Sequence, residues 1–154
     1  MGKVYHLASR FKRKYSFTIA SRIRRHSEVI EKILDTDEKV LYVFCGQKND
    51  TNTSLFQSAV VAITNKRIIV GQKRVVFGYF LTSITSDLFN DLKIHAGLFF
   101  GMIIIDTAKE IVYISNLDKA SLDEIETNVN RIMYENKRRD YQKKEEVKDE
   151  DKEK

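Results

Sequence analysis

Apolar residues recur along this chain with two different periods. Between residues 9 and 34 the spacing is near four: Phe11, Tyr15, Ile19 and Ile23, then Ile30, Ile33 and Leu34, fall close to one helix face. The pattern predicts an N-terminal helix over at least Ser21 to Leu34. Val29, Ile30, Ile33 and Leu34 form too apolar a group to leave in water, so this part should dock on the body of the protein. Asp35-Thr36-Asp37 then ends the helix.

From Lys39 to Ser115 the period falls to two. Strands are expected near Val40 to Gln47, Phe56 to Thr64, Arg67 to Gln72, Val75 to Ser83, Ile84 to His95, Leu98 to Asp106 and Glu110 to Ser115. Gln47-Lys48-Asn49-Asp50-Thr51-Asn52, Gly71-Gln72-Lys73-Arg74 and Asp106-Thr107-Ala108-Lys109 have the composition of hairpin turns, which makes the sheet antiparallel. Ala59 to Gly71 is the clearest hairpin: two β-branched runs flank Thr64-Asn65-Lys66-Arg67. Ile84 to His95 shows the cleanest alternation, with Ile84, Leu88, Leu92 and Ile94 on one face and Thr85, Asp87, Asp91, Lys93 and His95 on the other. After Ser115 the period returns to 3.6. Leu122, Ile125, Val129, Ile132 and Met133 predict a helix from about Asp118 to near Lys137, with Ser121 and Glu124 in capping-box positions. Its apolar stripe should cover the open seam of a strongly bent sheet. Asn136 to Lys154 is almost wholly charged, and is expected as a frayed helical extension or a disordered tail.

Seven antiparallel strands followed by one amphipathic helix resemble the pleckstrin-homology superfold, and specifically the bacterial pleckstrin-homology-like domains. The residues that carry the resemblance are Asp37-Glu38-Lys39-Val40-Leu41 before the first strand, Ala62-Ile63-Thr64-Asn65-Lys66-Arg67-Ile68-Ile69 at the second hairpin, and Ile114-Ser115-Asn116-Leu117 leading into the last helix. It spans about Glu28 to Met133. The resulting expectation is an α+β, mainly β fold: a strongly bent antiparallel barrel of about seven strands, capped by a C-terminal helix and preceded by an N-terminal one. In domain terms, residues 1–27 are a basic arm, 28–135 the PH-like domain and 136–154 a charged tail. The resemblance implies a non-catalytic module for binding or assembly, acting through a protein partner or through self-association as a homo-oligomer. Phosphoinositide-binding members of the superfold carry basic residues on the loop after the first strand. Here that loop offers Lys48 alone among Gln47, Asn49, Asp50, Thr51, Asn52 and Thr53, which argues against that ligand.

Charge sharpens this picture at one end. Eight basic residues and no acidic one precede Glu28, whereas the other 127 residues carry 19 basic and 22 acidic groups. The protein therefore reads as a nearly neutral body with a basic arm. Arg10, Lys12, Arg13, Lys14, Arg22, Arg24 and Arg25 are the candidate contacts to an anionic surface, and Phe11, Tyr15, Ile19 and Ile23 the candidate stripe for apolar insertion or packing. Three uses fit these residues: a peripheral membrane adaptor on anionic lipid, sequence-independent binding of nucleic acid, or packing of the stripe on the barrel or a neighbouring subunit. The membrane use would place the protein at the inner face of the membrane.

Catalysis, metals and cofactors find no support. His6, His26, His95 and Cys45 fall in four different elements, and neither a Gly-x-Ser-x-Gly elbow nor a phosphate-cradling glycine loop occurs. Asp87 and Asp91, four residues apart on a strand, stand ~13 Å apart at ~3.3 Å per residue, too far for paired acid and base work. Asp106 and Glu110 bracket a turn, and Gly97 and Gly101 mark a turn and a bend. No apolar run approaches the roughly 20 residues of a membrane span. With its single cysteine, the chain is expected to be soluble and cytoplasmic.

Overall fold

The computed structural model describes residues 2–48 and 57–154. Two helices, α1 (Lys3–Lys14) and α2 (Ile23–Glu31), precede β1 (Val40–Lys48), β2 (Ser58–Thr64), β3 (Arg67–Lys73), β4 (Tyr79–Thr85), β5 (Phe89–Ala96), β6 (Phe100–Thr107) and β7 (Ile111–Asp118). A short 3-10 turn, Lys119–Ser121, leads into the long helix α3 (Leu122–Lys152). The strands form one antiparallel sheet in the order β4-β3-β2-β1-β7-β6-β5, curled into a half-barrel. β1 is the bend: most of its length pairs with β2, whereas Gln47 and Lys48 pair with Ser115 and Ile114 of β7.

Burial explains the two hydrophobic textures of the strands. Every residue of β2 is buried, whereas β5 buries only Phe89 and Leu92. Helices α1 and α2 pack on β1, β2 and β3, while α3 fills the seam between the sheet ends and reaches β1, β2, β5 and β6. A strand covered on both faces needs a continuous apolar run, which is what Ala59 to Ile63 supplies; a strand covered on one face alternates. The α3 stripe behaves as its spacing predicts, with Leu122, Ile125, Val129, Ile132 and Met133 all buried.

Several local expectations are corrected. The four-residue period from 9 to 34 is not one helix: α1 ends at Lys14 and the chain turns before Ile23. Thr18 N–H closes a turn on Tyr15 O (3.1 Å), and the segment beyond it is held by β7 instead of continuing the helix. Phe17 N–H donates to Asp118 Oδ2 (3.4 Å), Ile19 N–H donates to Asn116 O (2.8 Å), and Thr18 Oγ1 accepts from Asp118 N–H (3.0 Å). Ile84 to His95 is likewise not one strand. Ile84 and Thr85 end β4, Leu88 N–H closes a turn on Thr85 O (3.1 Å), and β5 starts at Phe89 on the opposite edge of the sheet. Alternation survives the turn because its residues still face the core or solvent in sequence: Ser86 is buried and bonds Asp140 of α3, and Asp87 is exposed. The expected strand from Val75 begins only at Tyr79.

No capping box forms at Ser121. Its hydroxyl donates to Asp118 O (2.7 Å), Asp118 caps the 3-10 turn through Ala120 N–H, and Glu124 turns away to Lys14 and Tyr42. Thr107, not the flanking carboxylates, organises the β6–β7 turn: its hydroxyl donates to Glu110 O and accepts from Glu110 N–H. Gly97 lies in the β5–β6 turn, and Gly101 lets β6 pass under Leu122, where a Cβ would collide with the Leu122 side chain. The expected loop residues Asn49 to Thr53, and Phe56, lie outside the described residues. Helix α3 continues through the charged stretch to Lys152. No helix among the described residues is long and apolar enough to cross a membrane.

Candidate functional site

The Thr64-Asn65-Lys66-Arg67 turn carries two of the cations that could have bound a phosphate, and both are already committed. Arg67 meets Glu38 bidentately, Nε to Oε1 and Nη2 to Oε2, each at 2.9 Å. The Glu38 side chain has no solvent exposure. Burial alone would raise its pKa, but the bonds from Arg67, Asp35 N–H and Thr64 win and hold it below the usual carboxylate value. Arg67 also reaches Ile33 O and Ser83 Oγ. Lys66 Nζ sits 2.7 Å from Asp37 and 3.1 Å from Asp35, and these bonds raise its pKa. The turn is thus a junction that ties the segment before β1 to α2, β3 and β4. Asn136 Nδ2 and Arg139 Nη1 of α3 close it from the other side, on Thr64 O and Asn65 O.

The seven cations named in the arm divide into two groups. Arg10, Lys12, Arg13 and Lys14 lie on α1, where Lys14 pairs with Glu124 (2.7 Å) and Lys12 Nζ donates to Ser16 O (3.1 Å). Arg22, Arg24 and Arg25 lie at the start of α2; Arg24 pairs with Glu28 (3.4 Å), and Arg22 bonds the carbonyls of Lys73 and Arg74. Of the apolar stripe, Phe11 and Tyr15 are buried in the core cluster with their rings 5.0 Å apart, Ile23 packs against that cluster, and Ile19 is half exposed. The structure therefore does not bring the four residues onto one outward face.

It brings together another set instead. Arg25, Lys32, Lys73 and Tyr79 line a cleft of about 210 Å³ between α2 and the β3–β4 hairpin, with Glu28 and Val29 beside them. Beyond its rim the hairpin tip exposes Val75, Val76 and Phe77 at 60%, 76% and 81%. Sequence reading named Arg25 but not Lys32, Lys73 or the tip. The signal was present as Lys73-Arg74 followed by three large apolar residues in a stretch too short to bury them. His26 positions this cleft: its Nδ1 accepts from Lys73 N–H at 2.7 Å, and burial first, then Arg22, pushes its pKa down to about 4.

The remaining candidates stay apart. His6 and His95 are exposed, Cys45 is buried with its thiol pushed up to about 12 by burial, and no three metal-ligating side chains group among the described residues. Asp87 and Asp91 are exposed, and Asp91 bonds Leu92 N–H. Tyr42 donates to Glu124 (3.0 Å) from a partly buried position; desolvation first, then the Glu124 charge, raises its pKa.

Against known proteins, the family described as Bacterial PH domain matches residues 34–131. The matched segment runs from just after α2, across all seven strands, into α3. The fold is also similar to the crystal structure of a pleckstrin homology domain from Shewanella amazonensis SB2B, at 15% identity and a TM-score of 0.47, covering 75% of this chain and 90% of that one. No curated protein matches the chain.

Proposed function

The chain belongs to the bacterial PH domain family, and from that premise we propose that it is a non-catalytic assembly module that works by protein contact, chiefly with copies of itself. Domains of this family generally mediate binding. The observation that carries the finer reading is the free edge of β4. Among the described residues this strand ends the sheet and pairs with β3 alone. Its sequence, Tyr-Phe-Leu-Thr-Ser-Ile-Thr, holds no charge and no proline. Proteins that keep an edge unpaired blunt it with charges, proline or a covering element, because a bare row of N–H and C=O groups templates another strand. The other edge has both protections: β5 carries Asp91 and Lys93 and packs against α3. Antiparallel pairing of β4 with β4 of a second copy gives a two-fold contact that satisfies both edges.

Sedimentation of the full chain tests this. The expected mass is twice the 18.0 kDa of one chain, returning to the single-chain value when Thr82→Lys puts a charge on the edge. A mass fixed at 18.0 kDa at every concentration overturns the reading.

A further inference from the structure

We propose that the β3–β4 hairpin is a lipid wedge: its tip enters an anionic phospholipid surface while the adjoining cleft holds a lipid phosphate. The tip is built to stand out of the protein. Arg74 N–H donates to Gly78 O (3.0 Å), and Gly78 at φ +77° supplies the left-handed residue this closure requires. Val75, Val76 and Phe77 occupy the loop so formed, and a run of three large apolar side chains more than half exposed is rare on a surface that faces only water. The loop is also anchored. Arg22 grips the carbonyls of Lys73 and Arg74 (3.3 and 3.5 Å), and the Arg74 guanidinium lies 5.2 Å from the Phe80 ring centre.

Charge beside the tip selects the occupant. Arg25, Lys32 and Lys73 face one cleft, and none of them has a carboxylate partner within ion-pair distance among the described residues. Glu28, the acid at that place, is engaged by Arg24. Cations aligned behind an apolar tip match the layering of a membrane interface, where phosphates lie just above the acyl boundary. The other occupants fit less well. Free phosphate has no use for the tip, nucleic acid offers stacking surfaces that Val75 and Val76 cannot use, and a second copy presents the same positive cleft. This contact uses the hairpin tip and the cleft at the first residue of β4, whereas the self-pairing above uses the rest of β4, and the variants below separate the two.

Flotation of the full chain with phosphatidylcholine vesicles, with and without phosphatidylglycerol, is the test. The expected result is binding that needs phosphatidylglycerol, weakens in salt, and falls about tenfold or more with Phe77→Asp, because a Phe that enters the acyl boundary is replaced by a charge. Lys73→Glu should lower it severalfold. Leu98→Asp, at the 80% exposed tip of β5–β6, should leave it unchanged. Phe77 is 81% exposed, so its variant keeps the fold, which a thermal melt verifies. Absence of anionic-vesicle binding, binding indifferent to Phe77→Asp, or equal loss with Leu98→Asp overturns the proposal. So does retention on random DNA that outlasts Phe77→Asp in place of vesicle binding, or saturation by inorganic phosphate in its place. The mass of Phe77→Asp in vesicle-free solution should match that of the parent chain, which separates this outcome from the edge pairing.

Discussion

Arg67 shows how a single side chain can look functional and be structural. In sequence it is one of two adjacent cations in a hairpin turn. Its position opposite a fully buried carboxylate makes it a strut. Arg67→Ala leaves Glu38 charged and unpaired in the interior and should cost about 3–5 kcal/mol in urea unfolding. In a double-mutant cycle with Glu38→Gln, the two costs should be strongly non-additive. The turn itself was legible from Thr64-Asn65-Lys66-Arg67, but its partner was not: Glu38 lies 29 positions away, and nothing in periodicity pairs them. His26 gives the pH signature. Its folded pKa, about 4, lies below the ordinary 6.5, so protons favour the unfolded chain. Its contribution is therefore full above pH 6.5 and is lost as pH falls toward 4, a slope in the urea midpoint that His26→Gln should flatten. Glu38, also depressed, acts in a separate window below its ordinary 4.5.

Among elements, the strands and α3 were legible because one-dimensional periods survive folding whenever one face is dry. Helix α1 was not, because its apolar face is short: Val4, Ala8 and Phe11 repeat over about two turns. Its significance rests on what it covers, the outer face of β1, where Phe11 stacks 6.2 Å from Phe44. The apolar run Val40 to Cys45 of β1 meets that helix. Phe11→Ala should cost about 3–5 kcal/mol in denaturant unfolding, a core value and not that of a detachable arm. An effect within about 0.5 kcal/mol, as for a surface site, would show α1 to be dispensable to the fold.

For the whole molecule, the antiparallel sense of the sheet was legible from hairpin composition, since every link except β4 to β5 joins sheet neighbours. The exception hid in the smooth alternation of Ile84 to His95, because a turn whose residues keep facing in and out in sequence leaves that period intact. The cleft beside α2 was hidden for another reason: its three cations come from the two ends of α2 and the end of β3, which only docking brings together. Salt separates the two contacts at this scale. Edge pairing through backbone hydrogen bonds should hardly respond to ionic strength, whereas vesicle binding should decline steeply over a few hundred millimolar. Sedimentation and flotation run across one salt series would read both.

The grip of α3 on the sheet has a mechanical consequence. Asn136, Arg139 and Asp140 fasten the helix to Thr64, Asn65 and Ser86, and beyond them the rod runs on to Lys152. That overhang is about 18 Å long at ~1.5 Å per residue. Anything that tugs on its far end works a lever whose fulcrum is the β2–β3 turn and the corner between the sheet edges. Load arriving there bears first on the Asn136, Arg139 and Asp140 contacts, the last fastenings before the free end of the rod.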